Sequence, residues 1–265
     1  MRLGGPLTPI EFDFLWEAYG TGEVPYPLEL RSHGATYAER SELRGQTMRS
    51  LVAKGVVDER GALAPWLADY FDLLAKAEIS VDSVHVVGAD TKAVLAVVCA
   101  RDEDGLLAVQ DEEGLHLSEV PAGSLASSIV GLLPHAERGR ERSITMPVDT
   151  LVTGAGADFM QRRNGAPATE AGSSDADRKT LARLHAQPRL RGGQIAANSR
   201  TGSGKRARSS VLSWFDTESG RYLTKATTGT DGREWITISP ADAPTMRQRV
   251  GELITWVRRE LEVTR

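Results

Sequence analysis

Residues 201–206, TGSGKR, set glycines beside a lysine and are the first place to look for chemistry. A phosphate loop needs a glycine five positions before its Gly-Lys pair and a Ser or Thr after it, so that backbone N–H groups and a hydroxyl reach phosphate and Mg²⁺. Here those positions hold Ser199 and Arg206, and the loop is not made. The glycine pattern at 154–159, GAGADF, lacks the preceding strand that a dinucleotide site requires. His33, His85, His116, His135 and His185 are scattered, without i, i+4 spacing or the paired Cys or carboxylate partners of a metal centre. The acidic runs Asp102-Glu103-Asp104 and Asp111-Glu112-Glu113 sit in glycine-ended turns, where consecutive carboxylates keep a loop solvated more readily than they cage a cation. No serine lies in Gly-x-Ser-x-Gly. The expectation is no catalytic residues, no metal, no cofactor and no small-molecule substrate.

One charge feature stands out. Residues 189–208 carry Arg189, Arg191, Arg200, Lys205, Arg206 and Arg208 and no acidic residue, so they read as a mobile basic hairpin able to grip phosphates or an acidic protein surface. Interleaved aromatics are missing, and the chain as a whole has a net charge of -4. Nucleic acid is therefore the alternative reading, not the leading one.

The elements that must position these residues follow from pattern. At 265 residues with 40% apolar side chains, the chain has ample material for a core. Thr8-Pro9-Ile10-Glu11 is a capping box with proline at the first helical position, after which Phe12, Leu15, Trp16 and Tyr19 share one helix face. Helices are expected over 36–54 and from Pro65, then a strand over 80–87. Residues 92–133 run strand, acidic turn, strand, acidic turn, strand, Pro-Ala, helix, and residues 208–261 repeat that order. Leu125, Ile129 and Leu132 of the first copy match Met246, Val250 and Leu253 of the second, which points to an internal duplication. The expected fold is α+β: two pseudo-symmetric halves, each an antiparallel β-meander with flanking helices. Residues 1–134 form the first half, the charged stretch 135–146 links, and 147–265 form the second, opening with a helix from Pro147. Residues 162–174 read as a flexible polar loop.

The single cysteine, Cys99, lies in an apolar run, so no internal disulfide can form. No apolar run approaches a membrane span and the N-terminus has no signal core, so a cytoplasmic protein is expected. A homodimer through a sheet edge or the helix carrying Trp256 stays open.

Four strings taken together, FDFLWEAYGTGEVPYPLELRSHGAT, GVVDERGALAPWLADYFDLLAKAEISVD, FDTESGRYL and DGREWITISPAD, resemble the EspG family of ESX (type VII) secretion-associated proteins of actinobacteria. The resemblance implies a cytosolic, non-catalytic chaperone that binds a secreted helical partner, a PE–PPE heterodimer, and keeps it soluble. It implies partner contacts at the loop of an early strand pair, the central sheet and the C-terminal helices. By order that loop is 88–92, with Gly88, Asp90, Thr91 and Lys92, and it is shorter here than in the mycobacterial members. Trp214 is a further candidate contact on the sheet, and Lys205, Arg206 and Arg208 supply a mobile one.

Overall fold

The computed structural model describes residues 5–20, 22–148, 175–230 and 232–262. The glycine pattern at 154–159 and the polar stretch 162–174 lie outside them. Helix α1 (Pro9–Tyr19) starts at the expected box: Thr8 N–H donates to Glu11 Oε2 at 3.0 Å, and Glu11 N–H donates to Thr8 Oγ1 at 3.4 Å. Helices α2 (Tyr37–Ala53), capped by Thr36, and α3 (Pro65–Lys76) follow. Four strands come next, β1 (Ile79–Val86), β2 (Val94–Arg101), β3 (Asp104–Gln110) and β4 (Leu115–Pro121), and then the short helix α4 (Leu125–Gly131).

The second half holds β5 (Ile144–Pro147), α5 (Asp175–His185), β6 (Arg191–Arg200), β7 (Arg206–Arg208), β8 (Leu212–Thr217), β9 (Gly220–Thr228), β10 (Glu234–Pro240) and α6 (Ala243–Glu262). The linker expectation is corrected here. Residues 144–146 are strand, not linker: alternating Ile144 and Met146 are buried, and the segment pairs with β10 from Ile144↔Ile238 to Pro147↔Trp235, with helical backbone beginning at Val148, one residue after the expected start. Residues 138–140 are not a free linker either, because Gly139 N–H donates to Arg221 O and Arg140 N–H to Ser219 O. Charge density hid a segment tied down through its backbone.

The two meanders do not form separate sheets. All strands join in one antiparallel sheet of order β4-β3-β2-β1-β6-β8-β9-β10-β5, with β7 also paired to β6. Read outward from the β1–β6 seam, each half repeats the same meander, as the duplication requires. The β2–β3 and β8–β9 hairpins close on matching two-residue turns: Arg101 pairs with Asp104, and Thr217 pairs with Gly220. Gly220 sits at φ 114, and a Cβ there would lie 2.7 Å from Arg138 O, so only glycine lets residues 137–138 pass over the turn.

Helices cover both faces. On one face α4 and α6 bury Leu125, Ile129, Met246, Val250, Ile254 and Val257 against Val81, Val98, Ile195, Trp214 and Leu223. On the other face α1 and α3 press Phe12, Leu15, Trp16 and Phe71 onto Val97, Cys99, Leu106 and Ala108 in the first half. In the second half Leu184 of α5 joins Ile144, Phe215, Tyr222 and Ile236. Burial of such apolar side chains, at about 25 cal/mol per Å², is the main force holding these layers.

Candidate partner-binding surface

The seam orders everything else. β1 and β6 run antiparallel, from Ile79↔Ser199 to Val86↔Gly192. The β1–β2 turn therefore leaves one end of the sheet, and the connection from β6 through β7 to β8 leaves the other. These two connections are counterparts in the duplicated plan, yet they sit about 26 Å apart, the length of an eight-residue strand at ~3.3 Å per residue. The sequence candidates split accordingly into two groups that the fold does not bring together.

At the first end, Thr91 closes a tight turn by donating its Oγ1–H to Gly88 O at 3.0 Å, and Lys92 Nζ lies 3.2 Å from Glu112 Oε1. Asp90, Thr91 and Lys92 are exposed, and Gly88 is partly so. Beside them stand three apolar side chains the sequence reading had not singled out, Val86, Val87 and Leu190, each close to two-fifths exposed at 38%, 41% and 39%. Val86 and Gly192 are register partners, which places Leu190 in the same neighbourhood.

At the second end the basic hairpin exists, but it is largely built into the structure. Arg208 clamps Asp82, with Nη1 to Oδ2 at 2.5 Å and Nη2 to Oδ1 at 3.1 Å, and its guanidinium stands 5.4 Å from the Tyr26 ring. The Asp82 carboxylate raises the Arg208 pKa further above its ordinary value. Arg200 donates to Ala75 O, Arg191 to His135 O, and Arg189 lies 3.6 Å above the Phe215 ring, where burial lowers its pKa. Lys205 and Arg206 remain exposed at the tip, and among the described residues Arg206 has no ion pair. A free-swinging phosphate grip is thus not what these arginines form; four of them brace the sheet.

Trp214 is removed from the partner surface. It has no exposed area, packs under α6 within the central core, and lies 4.5 Å beneath the Arg221 guanidinium. Its position in a β-branched and aromatic run says strand, but only the register says which face, and that face is the covered one.

Sequence reasoning missed a buried charged knot. Arg221 Nε and Nη2 meet Asp216 Oδ1 and Oδ2 at 2.8 and 2.9 Å, and Nη2 also donates to Pro134 O at 2.7 Å. Both side chains are almost wholly enclosed, and Asp216 and Arg221 are register partners across the β8–β9 turn. The string DTESGR carries that signal, an acid and a base placed symmetrically about a two-residue turn. His85 is sealed nearby, 6.2 Å from Trp214, and its pKa is lowered to about 4, first by burial and then by Arg221. Ser83 Oγ lies 3.3 Å from His85 Nδ1, but both are buried, so the pair offers no surface to a substrate. Among the described residues no group of three or more His, Cys, Asp or Glu is placed to hold a metal ion, and no helix is long and apolar enough to cross a membrane.

Comparison with known proteins gives the frame. The chain is 25% identical over 248 residues to the ESX-3 secretion-associated protein EspG3 of Mycolicibacterium smegmatis, covering 90% of this chain and 82% of that protein. Its fold resembles the Mycobacterium tuberculosis type VII secretion system chaperone EspG5, solved in complex with a PE25–PPE41 dimer. The TM-score is 0.65 at 15% sequence identity, over 96% of this chain and 94% of EspG5. The EspG family model matches residues 8–252, from the capping box of α1 to the middle of α6, and the chain belongs to the EspG family.

Proposed function

We propose that this protein is a chaperone of type VII (ESX) secretion that acts in the cytoplasm, has no catalytic activity, and binds a secreted helical heterodimer of the PE–PPE kind. The observation that carries the reading is the family match from 8 to 252, which spans both halves of the sheet and not one motif. The relative whose fold it shares is a chaperone captured with a PE–PPE dimer. Physically, a secreted helical pair with an apolar tip aggregates unless that tip is covered, and a rigid sheet with helices on both faces is a suitable cover. The proposed contact is the end of the sheet formed by Gly88, Asp90, Thr91 and Lys92 with Val86, Val87 and Leu190, where apolar side chains stand exposed inside a polar rim. Lys205 and Arg206, at the opposite end, are a secondary contact on this reading.

Co-expression with PE–PPE pairs from the same host tests it. The expected result is a complex that survives size-exclusion chromatography and keeps the pair soluble. Its disruption by Val87→Asp combined with Leu190→Asp, with the chaperone still folded, would locate the surface. Recovery of the chaperone alone with every such pair overturns the reading.

A further inference from the structure

The duplicated meanders differ in how far their strands stay paired, and the difference opens a gap. In the first half β2 and β3 stay paired along their whole length, from Arg101↔Asp104 to Leu95↔Gln110. In the second half the corresponding strands part company. β8 and β9 pair only as far as Ser213↔Thr224, where Thr224 Oγ1 reaches Ser213 O at 3.5 Å. Beyond that point the chain leading into β8 follows β6: Ser209 N–H donates to Ala197 O, and Ser209 Oγ accepts from Ala197 N–H. β9 instead follows β10, from Lys225↔Thr237 to Thr228↔Glu234. Two strand edges therefore diverge, and Lys225, Ala226, Thr227 and Thr228 are all exposed.

The space between them is a cavity of about 1200 Å³, lined on one side by Ser209, Ser210 and Val211 and on the other by Lys225 and Thr228, with α6 along it. Four residues of open β9 edge correspond to about 13 Å of strand at ~3.3 Å per residue. An unpaired edge presents backbone donors and acceptors in a row and is a template for another strand. The side chains add chemistry. Val211 and Trp256 are exposed at 39% and 45%, and Leu253 lies between them and the core. Lys225, Arg249 and Arg259 face a single carboxylate, Glu252, which Arg249 already holds at 2.9 Å and whose pKa Arg249 lowers.

We propose that this gap is a strand-accepting slot, and that its occupant is a short extended segment of a partner protein whose aliphatic and acidic residues fall together at every second position, on the face turned to α6. The segment completes the sheet by backbone hydrogen bonds to β9. Its aliphatic side chains lie against Leu253 and Trp256, and its carboxylates meet Lys225, Arg249 and Arg259. This slot is independent of the PE–PPE reading and of the surface at 86–92.

The test uses the full chain and a fluorescein-labelled heptapeptide, Thr-Glu-Thr-Val-Thr-Glu-Thr, which sets its carboxylates and its valine on one face, followed by anisotropy and by amide exchange. Binding is expected, with exchange slowed at 225–228. Lys225→Glu, an exposed change, weakens binding by about fivefold, the scale of one partly exposed charge pair. The same peptide N-methylated at every residue, which keeps the side chains and removes the donors of both edges, does not bind. Three results overturn the proposal: no binding at millimolar peptide, equal binding of the N-methylated peptide, or binding that leaves exchange at 225–228 unchanged.

Discussion

Arg208 on β7 and Asp82 on β1 are joined across the intervening strand β6, with Asn198 between them: its Nδ2–H donates to Asp82 Oδ2 at 2.7 Å, and Arg208 Nη1 donates to its Oδ1 at 2.7 Å. Asp82 retains only 4% side-chain exposure, whereas Arg208 retains 44%. Arg208→Ala strands a buried carboxylate with one amide partner. The expected loss, discounted because the guanidinium is half in solvent, is about 2 kcal/mol, measured as a shift in denaturant midpoint. Adding Asp82→Asn in the same chain should restore about half of it; an unchanged midpoint in the single variant contradicts the bracing role.

The Asp216–Arg221 pair is more enclosed, at 2% and 3% side-chain exposure. Arg221→Met leaves Asp216 with Arg191 alone, 3.9 Å away, and leaves Pro134 O without its donor. We expect a loss of about 3–5 kcal/mol, larger than for Arg208. Arg221→Met with Asp216→Leu should cost less than Arg221→Met alone, and a double-mutant cycle reads the difference.

His85 gives a pH dependence with a definite sign. Its folded pKa is about 4, against 6.5 as its ordinary value, so the unfolded chain binds the proton more tightly. The contribution is full above pH 6.5 and fades as pH falls through that value toward 4, by up to roughly 3 kcal/mol at 1.36 kcal/mol per pKa unit. His85→Gln should flatten the stability curve between those limits. Parallel curves for the two proteins would exclude His85 as the source.

Cys99 is sealed between β2 and α3, its Sγ directed at Leu73 O at 3.9 Å, and burial pushes its pKa up to about 12. A thiol reagent at pH 8 should leave it unmodified in the native protein. Modification should occur only at the rate of opening and accelerate with denaturant. Fast stoichiometric labelling of the folded chain would mean that this strand is not closed as described.

The sequence was most informative where local chemistry decides structure. Thr8, Pro9 and Glu11 specify the start of α1, and the turn residues around Asp102 and Gly220 specify the two hairpins, because caps and turns are settled within a few residues. It was least informative where a choice depends on distant partners. Nothing around Trp214 tells which sheet face is covered, and the charged run before Ile144 conceals backbone bonds to Arg221 and Ser219 eighty residues away. The cations at 189–208 were visible, but Asp82 and the Phe215 ring that occupy two of them lie elsewhere in the chain. The partner surface was legible only as the turn at 88–92. Its apolar neighbour Leu190 comes from the other half of the molecule and is placed there by the seam.

That seam also sets the order of events during synthesis. β1 finds its second neighbour, β6, only after more than a hundred further residues have been made, and Asp82↔Ala196 is a contact of very long sequence separation. Pairings of that kind close late and slow the overall rate. Until then the β1 edge from Ile79 to Val86 waits unpaired, and a truncated first half would present it permanently as a site for edge-to-edge aggregation. On this view the chain passes through an aggregation-prone stage of its own before the sheet closes at its centre.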